Sequence, residues 1–327
     1  MDGKIALEEH MAVPETLDDS MQIVGAAPGW ELLRDQLLDI GELRLEQMDR
    51  HGIEMTLVSL NAPAVQAIVD RREAAEISIR ANDHLAEQVA KNPDRFRGFA
   101  ALPMQDPDLA SKELARCVND LGFVGALVNG FTQRDVSDSV VYYDIPEYRS
   151  FWATVAELDV PFYLHPRAQI KERDFATSGH PWLETAVWGL ARETSIHALR
   201  LCGSGLFDEY PGLKVVLGHL GERIPYDLWR IDARMTVTGA EYKGTRPLGQ
   251  VFREHFHITT SGNFSDTTLR CCLDEMGAGH LMFSVDYPFE QTDEAATWYD
   301  ATPILDDGQR RQIGRDNANK LFKLGLD

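Results

Sequence analysis

Cysteine is scarce in this 327-residue chain, which has only Cys117, Cys202, Cys271 and Cys272. None forms a CxxC pair, and the adjacent Cys271 and Cys272 suit disulfide geometry poorly. A disulfide framework is therefore not expected, and the four read as reduced, mostly buried thiols of a cytoplasmic protein. Positive charge is also short. Lys and Arg number 32 against 52 Asp and Glu, a formal net charge of −20. Such a chain repels phosphate backbones and anionic lipid, so neither nucleic acid nor a membrane surface is an expected partner. An anionic small molecule stays possible if a local cation, such as a metal, holds it. Long apolar runs are missing too. None approaches the roughly 18 residues of a membrane span, and the first residues lack the basic-then-apolar pattern of an export signal. There is no repeat and no low-complexity stretch. Gly203-Ser204-Gly205 follows a helical pattern and not a strand, so it fails the context test for a dinucleotide-binding loop.

What the chain does have is alternation. Strand patterns are expected at 5–10, 55–60, 96–102, 123–129, 161–165, 213–219, 256–261 and 281–286. Helices are expected at 42–51, 72–91, from Asp106 to about Leu121, and at 146–158, 186–203, 222–237, 266–276 and 307–323. Between them lie a long loop over 11–40, broken by Pro14, Pro28 and Gly29, a polar loop after Gly130, an insertion at 167–185 and an irregular piece at 238–249. Near-continuous apolar strands alternating with helices argue for a parallel sheet. Eight such units favour an α/β fold closed as one (β/α)8 TIM barrel. It would be a single domain over 1–327, with loop insertions and a C-terminal helix.

In such a barrel, reactive groups gather where strands end at the C-terminal face. Glu8 and His10 end the first strand, two apart and so on one face, with Glu9 turned away. His165 ends the fifth, His219 the sixth and Asp286 the eighth. Carboxylates and imidazoles from four strands could surround one divalent ion. A set without thiolate suits Mn²⁺, Mg²⁺ or Zn²⁺, with Mn²⁺ favoured. Glu222 either orients His219 or is an acid at a helix start; both readings fit. The literal HxH, His255 to His257, opens the seventh strand at the opposite rim and reads as structural. His180, in the 167–185 insertion, fits the pocket mouth or, better, a surface role. His51, His84, His197 and His280 fall on helices or connections and read as surface or capping groups. Of Phe289, Trp182 and Trp188, one at most is expected to wall a pocket. Arg230 fits a substrate contact or a surface ion pair equally well.

Ala6-Leu7-Glu8-Glu9-His10, Tyr163-Leu164-His165-Pro166, Leu217-Gly218-His219-Leu220-Gly221-Glu222 and Phe283-Ser284-Val285-Asp286-Tyr287-Pro288 together resemble the amidohydrolase superfamily. Within it they are similar to the non-oxidative aromatic acid decarboxylases related to aminocarboxymuconate-semialdehyde decarboxylase. The Glu-Glu-His form at the first strand is that of members acting on γ-resorcylate (2,6-dihydroxybenzoate). The wider superfamily often has a metal-bridging lysine on the fourth strand. Here that strand ends in Asn129, which argues for one metal and not two. The resemblance implies Glu8, His10, His165 and Asp286 as ligands of one divalent ion. It places His219 beside the substrate, with Glu222 behind it, and makes Asp286 the acid that protonates the ring carbon. It also implies a small aromatic acid substrate and a homo-oligomer, tetramer or dimer. A lactonase-like hydrolase of the same superfamily is the alternative, as is a decarboxylase of 2,3-dihydroxybenzoate or salicylate.

Overall fold

The computed structural model describes residues 1–24, 29–173, 175–238 and 242–326. Among these, eight parallel strands alternate with helices: β1 (Lys4–Met11), β2 (Ile53–Leu60), β3 (Phe96–Gly98), β4 (Ala126–Asn129), β5 (Phe162–His165), β6 (Val215–Leu217), β7 (Phe256–Thr259) and β8 (Leu281–Met282). Their regular ladders make two parallel sheets, β1-β2-β3 and β4-β5-β6-β7-β8. Single parallel bridges, Ala100 with Ala126 and Glu9 with Tyr287, lie across the two seams. There Leu127 N donates to Ala100 O at 3.2 Å, and Asp286 N to Glu8 O at 3.0 Å. The order is that of the (β/α)8 barrel which the alternation predicts.

Period two sorts the apolar side chains into two layers. Leu7, Leu57, Leu127, Tyr163, Val216 and Met282 fill the inside of the barrel, joined by Phe322 and Leu324 of the C-terminal segment. Val58, Val128, Leu164 and Leu217 point outward against helix residues such as Leu85, Leu114, Trp152 and Leu201. Each such burial contributes about 1.5–3 kcal/mol, so both layers anchor the strands whose ends carry the polar groups.

Alternation is interrupted in β1, and that interruption builds the site. Ile5 and Leu7 belong to the inner layer. Strict alternation would then send Glu8 and His10 outward. The β1–β2 register shifts between Ala6 and Glu9 instead. The successive amides of Leu7 and Glu8 both donate to Ser284 Oγ, at 3.1 and 2.6 Å. This is a β-bulge, which re-aims the side chains that follow it.

The stretch over 11–40 is not a plain loop. It holds helices Leu17–Val24 and Trp30–Leu38. Gly29, which reads as a breaker, is the N-cap of the second, with φ 112°; Pro28 lies outside the described residues. The polar loop after Gly130 contains an antiparallel hairpin, Thr132–Arg134 with Val136–Val141, turning at Asp135 with φ 65°. Helices Leu248–His255 and Thr292–Ala301 were not expected from the pattern. The first covers the end of the 238–249 piece, of which 239–241 lie outside the described residues. The sixth and eighth ladders stop earlier than the apolar runs suggest, so His219 opens the short, distorted helix His219–Glu222 beyond one and Asp286 lies in irregular chain beyond the other.

Candidate metal centre

Glu8, His10, His165 and Asp286 come together at the C-terminal end of the strands. Each offers one ligand atom, and these atoms all lie within 4.8 Å of one another. His10 Nε2 is 3.1 Å from Asp286 Oδ1, and His165 Nε2 is 3.2 Å from Glu8 Oε1. The two imidazole rings meet edge to face, with centroids 4.5 Å apart. Ser59 Oγ, on the neighbouring strand, holds His10 Nδ1 at 3.1 Å and so turns Nε2 toward the cluster. Burial, then the neighbouring His165, pushes His10 below its ordinary pKa, which leaves a neutral ring with a lone pair to give. Glu8 Oε1 and His165 Nδ1 are buried atoms without a hydrogen-bond partner. An orphaned carboxylate oxygen beside two imidazoles and a second carboxylate is the donor set of a divalent cation site, and it fits Mn²⁺, Mg²⁺ or Zn²⁺.

His219 stands at the open side of this cluster, its side chain 25% exposed. Its Nε2 is 3.4 Å from Asp286 Oδ2 and 3.8 Å from Glu8 Oε1. Its Nδ1 is 2.7 Å from Glu222 Oε1. Glu222 is almost fully buried, so of its two readings the one that orients His219 fits the geometry. Burial opposes a charge on His219, but Glu222, Glu8 and Asp286 outweigh it and raise its pKa well above the ordinary value. The same histidines draw both carboxylates down against the upward push of burial. For Glu8 these are His219, His165 and His10, and for Asp286 they are His10 and His219.

The backbone here adopts conformations that side-chain-bearing residues seldom take. His219, Glu222 and Asp286 have φ of 51°, 52° and 81°, a clustering typical of functional sites. Gly262 makes room for the pair. A Cβ on it would lie 2.8 Å from the His219 ring and 3.6 Å from Asp286 Oδ2. Glu9 turns away from its neighbours Glu8 and His10 and accepts from Val285 N at 3.0 Å and Ser284 Oγ at 3.2 Å. Burial pushes its pKa up to about 8, against the Val285 amide and Arg44. It fastens β1 to the segment that carries Asp286.

Phe289 is the one of the three aromatic candidates that reaches the cluster, 5.7 Å from the His10 ring. Trp182 and Trp188 are exposed, and the Arg223 guanidinium lies over Trp188 at 3.6 Å. Arg230 is exposed too, in a groove with Trp188 and Asp227. His255 ends helix Leu248–His255, stacked on Phe207 at 4.5 Å, and His257 stacks on His280 at 4.8 Å, so the HxH is structural. His197 is not a surface group. It is fully buried, and its Nε2 accepts from Tyr143 N at 3.1 Å, because helix Gly189–Gly203 packs that face onto Tyr142 and Tyr143. A cleft of about 130 Å³ opens beside His219 and Glu222, walled by Pro166, Leu190, Gly262 and Asn263. Wider surface grooves, about 650 Å³ at Trp229 and 820 Å³ at Arg71, contain none of the cluster. Position in the cluster, and not groove size, therefore marks the site.

The polar supports went unread in the sequence: Ser59, Tyr163, Thr259, Ser261 and Ser284. Period two could have found two of them. Tyr163 precedes His165 by two, and Ser284 precedes Asp286 by two.

The family model described as Amidohydrolase matches residues 28–324. The γ-resorcylate decarboxylase of Rhizobium sp. (strain MTP-10005) is 56% identical over 328 residues, covering 99% of each chain. A solved 2,6-dihydroxybenzoate decarboxylase complexed with 2,6-dihydroxybenzoate superposes with TM-score 0.96 at 55% identity over 100% of both chains. A dihydroxybenzoic acid decarboxylase from Polaromonas sp. JS666, with bound manganese and the inhibitor 2-nitroresorcinol, gives TM-score 0.97 at 54% identity. It covers 100% of this chain and 98% of that one.

Proposed function

The chain belongs to the amidohydrolase family, and from that premise we infer that it decarboxylates γ-resorcylate (2,6-dihydroxybenzoate) to resorcinol and CO2. It is a carboxy-lyase that works on a small aromatic acid without oxidation and with a divalent metal, Mn²⁺ foremost. The observation that carries this is the cluster of Glu8, His10, His165 and Asp286 beside His219, in a chain so similar to proteins of that activity.

We assign Glu8, His10, His165 and Asp286 as the residues that hold the metal. When bound, the ion supplies a Lewis-acid anchor for the substrate carboxylate and an ortho phenolic oxygen. The chain's own residues supply the rest. Phe289 and the wall of the cleft give the ring an apolar surface. Asp286, anionic at rest, takes a proton from His219, whose pKa is raised, and passes it to the ring carbon that carries the carboxylate. The bond from that carbon to the carboxylate then breaks, its electron pair returns to the ring, and CO2 leaves. His219, 3.4 Å from Asp286 Oδ2, is placed to restore the proton. Glu222 fixes its ring from behind.

The test is a panel of hydroxybenzoates followed for CO2 release in deuterated water, with metal content measured on the same sample. The expected result is fastest turnover of 2,6-dihydroxybenzoate, with one deuterium on the product carbon that bore the carboxylate. Faster release from 2,3-dihydroxybenzoate or salicylate would change the substrate. Hydrolysis of a lactone without CO2 release would replace the reading altogether.

We further propose that residues 1–327 act as one domain, in the cytoplasm. No described helix is long and apolar enough to cross a membrane, and all four cysteines are free. A homo-oligomer, tetramer or dimer, is also proposed. Tyr226, Trp229 and Val237 are exposed at near-integral turns of helix Ile224–Thr238, an apolar stripe of the kind that subunit contacts cover. Light scattering at micromolar concentration should return a multiple of the chain mass, and a monomer there would overturn the proposal.

A further inference from the structure

We propose that the hydroxyls of Tyr163, Thr259 and Ser261 form a cradle inside the barrel that restricts Glu8 to a one-oxygen metal ligand. These three are then positioning residues of the metal centre, a role that rests on the metal-dependent reading above.

Glu8 Oε2 accepts hydrogen bonds from Tyr163 OH and Ser261 Oγ, and Thr259 Oγ1 lies farther off, at 3.4 Å. A carboxylate oxygen has two in-plane lone pairs, and two close hydroxyls fill them. Oε1 has no hydrogen-bond partner. The two oxygens of one carboxylate are thus unequal, one saturated by the protein and one left bare toward His165 and His219. The three hydroxyls also satisfy each other. Thr259 Oγ1 is 2.9 Å from both Tyr163 OH and Ser261 Oγ, so its proton has a place to go when the other two are given to Glu8. Ser261 Oγ in turn accepts from His219 N at 3.1 Å. All four side chains are fully buried, so no water competes, and a fully satisfied network of this sort is stiff.

The cradle draws on separate strands. Glu8 comes from β1, Tyr163 from β5, and Thr259 and Ser261 from β7 and the residues just after it. Gly218, in the turn after β6, is its open wall, because a Cβ there would collide with both oxygens of Glu8. A carboxylate bound on one oxygen occupies one place on a cation where a chelating one would take two. A carboxylate held to one oxygen would therefore leave more room at the ion for the substrate's own oxygens.

The experiment measures Mn²⁺ affinity of the metal-free full chain by competition with a chelator of known affinity. It is paired with the electron paramagnetic resonance spectrum of the bound ion. The proteins compared are wild type, Tyr163→Phe, Ser261→Ala and Ser261→Thr. Phe keeps the ring that packs 6.0 Å from Phe99, so the inner layer stays filled. The expected result is a rise of about 10–100-fold in the Mn²⁺ dissociation constant for Tyr163→Phe and Ser261→Ala, the usual cost of removing a partner behind a ligand. The Mn²⁺ spectrum should change with it, and Ser261→Thr, which keeps the hydroxyl, should recover most of the affinity. Folded variants that bind Mn²⁺ within twofold of wild type, with an unchanged spectrum, would overturn the cradle. If Tyr163→Phe fails to fold, the Ser261→Ala and Ser261→Thr pair decides alone. A wild-type protein that binds no Mn²⁺ is a different failure, that of the metal-dependent reading itself.

Discussion

Dialysis against a strong chelator should bring turnover of 2,6-dihydroxybenzoate to background, and one equivalent of Mn²⁺ should restore it. The reason lies in the charges. Glu8 and Asp286 are buried carboxylates whose ligand atoms lie within 4.8 Å of each other. Both are held in the anionic form by the imidazoles around them, which prevail over burial. The incoming substrate is a third anion, and the chain as a whole carries a formal charge of −20. Like charges this close in a poorly hydrated site repel by several kcal/mol at an effective dielectric constant near 20. His219, whose pKa is raised, supplies a positive charge, but burial and His165 push His10 toward the neutral form, so one imidazolium faces three anions. A divalent cation among the four ligand atoms reverses the local sign and gives the substrate something to bind. Metal content and turnover measured on one sample, before and after Mn²⁺, make the check. Full turnover in demonstrably metal-free protein would sink the proposed chemistry. Zn²⁺ and Mg²⁺ in place of Mn²⁺ ask how far the donor set itself, two oxygens and two nitrogens, selects the ion.

The strand ends were legible because the barrel imposes a rule. Once eight apolar runs are seen to alternate with helices, the residue types that end them share one rim, and Glu8, His10, His165, His219 and Asp286 select themselves. Why Glu8 and His10 face inward was not legible. Period two from Ile5 and Leu7 would turn them out, and only the bulge clamped by Ser284 Oγ brings them back. That clamp joins residues 276 or more positions apart, which no local pattern encodes. Tyr163, Thr259 and Ser261 were missed for a related cause. Small hydroxyls inside a barrel look like ordinary strand residues until a buried carboxylate is seen above them. Gly29 shows the ambiguity of breakers, since a residue that reads as loop here caps a helix. The hairpin at Thr132–Arg134 and Val136–Val141 carries little apolar signal because the second strand is largely exposed. His197 was misread because its helix hides it under Tyr142 and Tyr143, and nothing in its neighbours' spelling says so.

Replacing Asp286 by Asn should leave the fold intact and lower kcat by about 10²–10⁴-fold, the range of a positioned general acid. The fold should survive because Asn has the size of Asp. It also tolerates the left-handed backbone, φ 81°, that this position demands. The backbone link from residue 286 N to Glu8 O does not involve the side chain. What Asn lacks is an anionic oxygen that can take a proton from His219 across the 3.4 Å contact and pass it to the ring carbon. Asp286 is also assigned as a metal ligand, and the experiment has to separate the two roles. Saturating Mn²⁺ does so. If the variant with its Mn²⁺ content restored still turns over at the lowered rate, the proton is what was lost. If excess Mn²⁺ returns kcat to the wild-type value, Asp286 acts as a ligand alone and the acid lies elsewhere. Residual turnover in deuterated water adds a second reading. A proton delivered by adventitious water still labels the product ring, but it does so without the dependence on His219 that the wild-type enzyme should show.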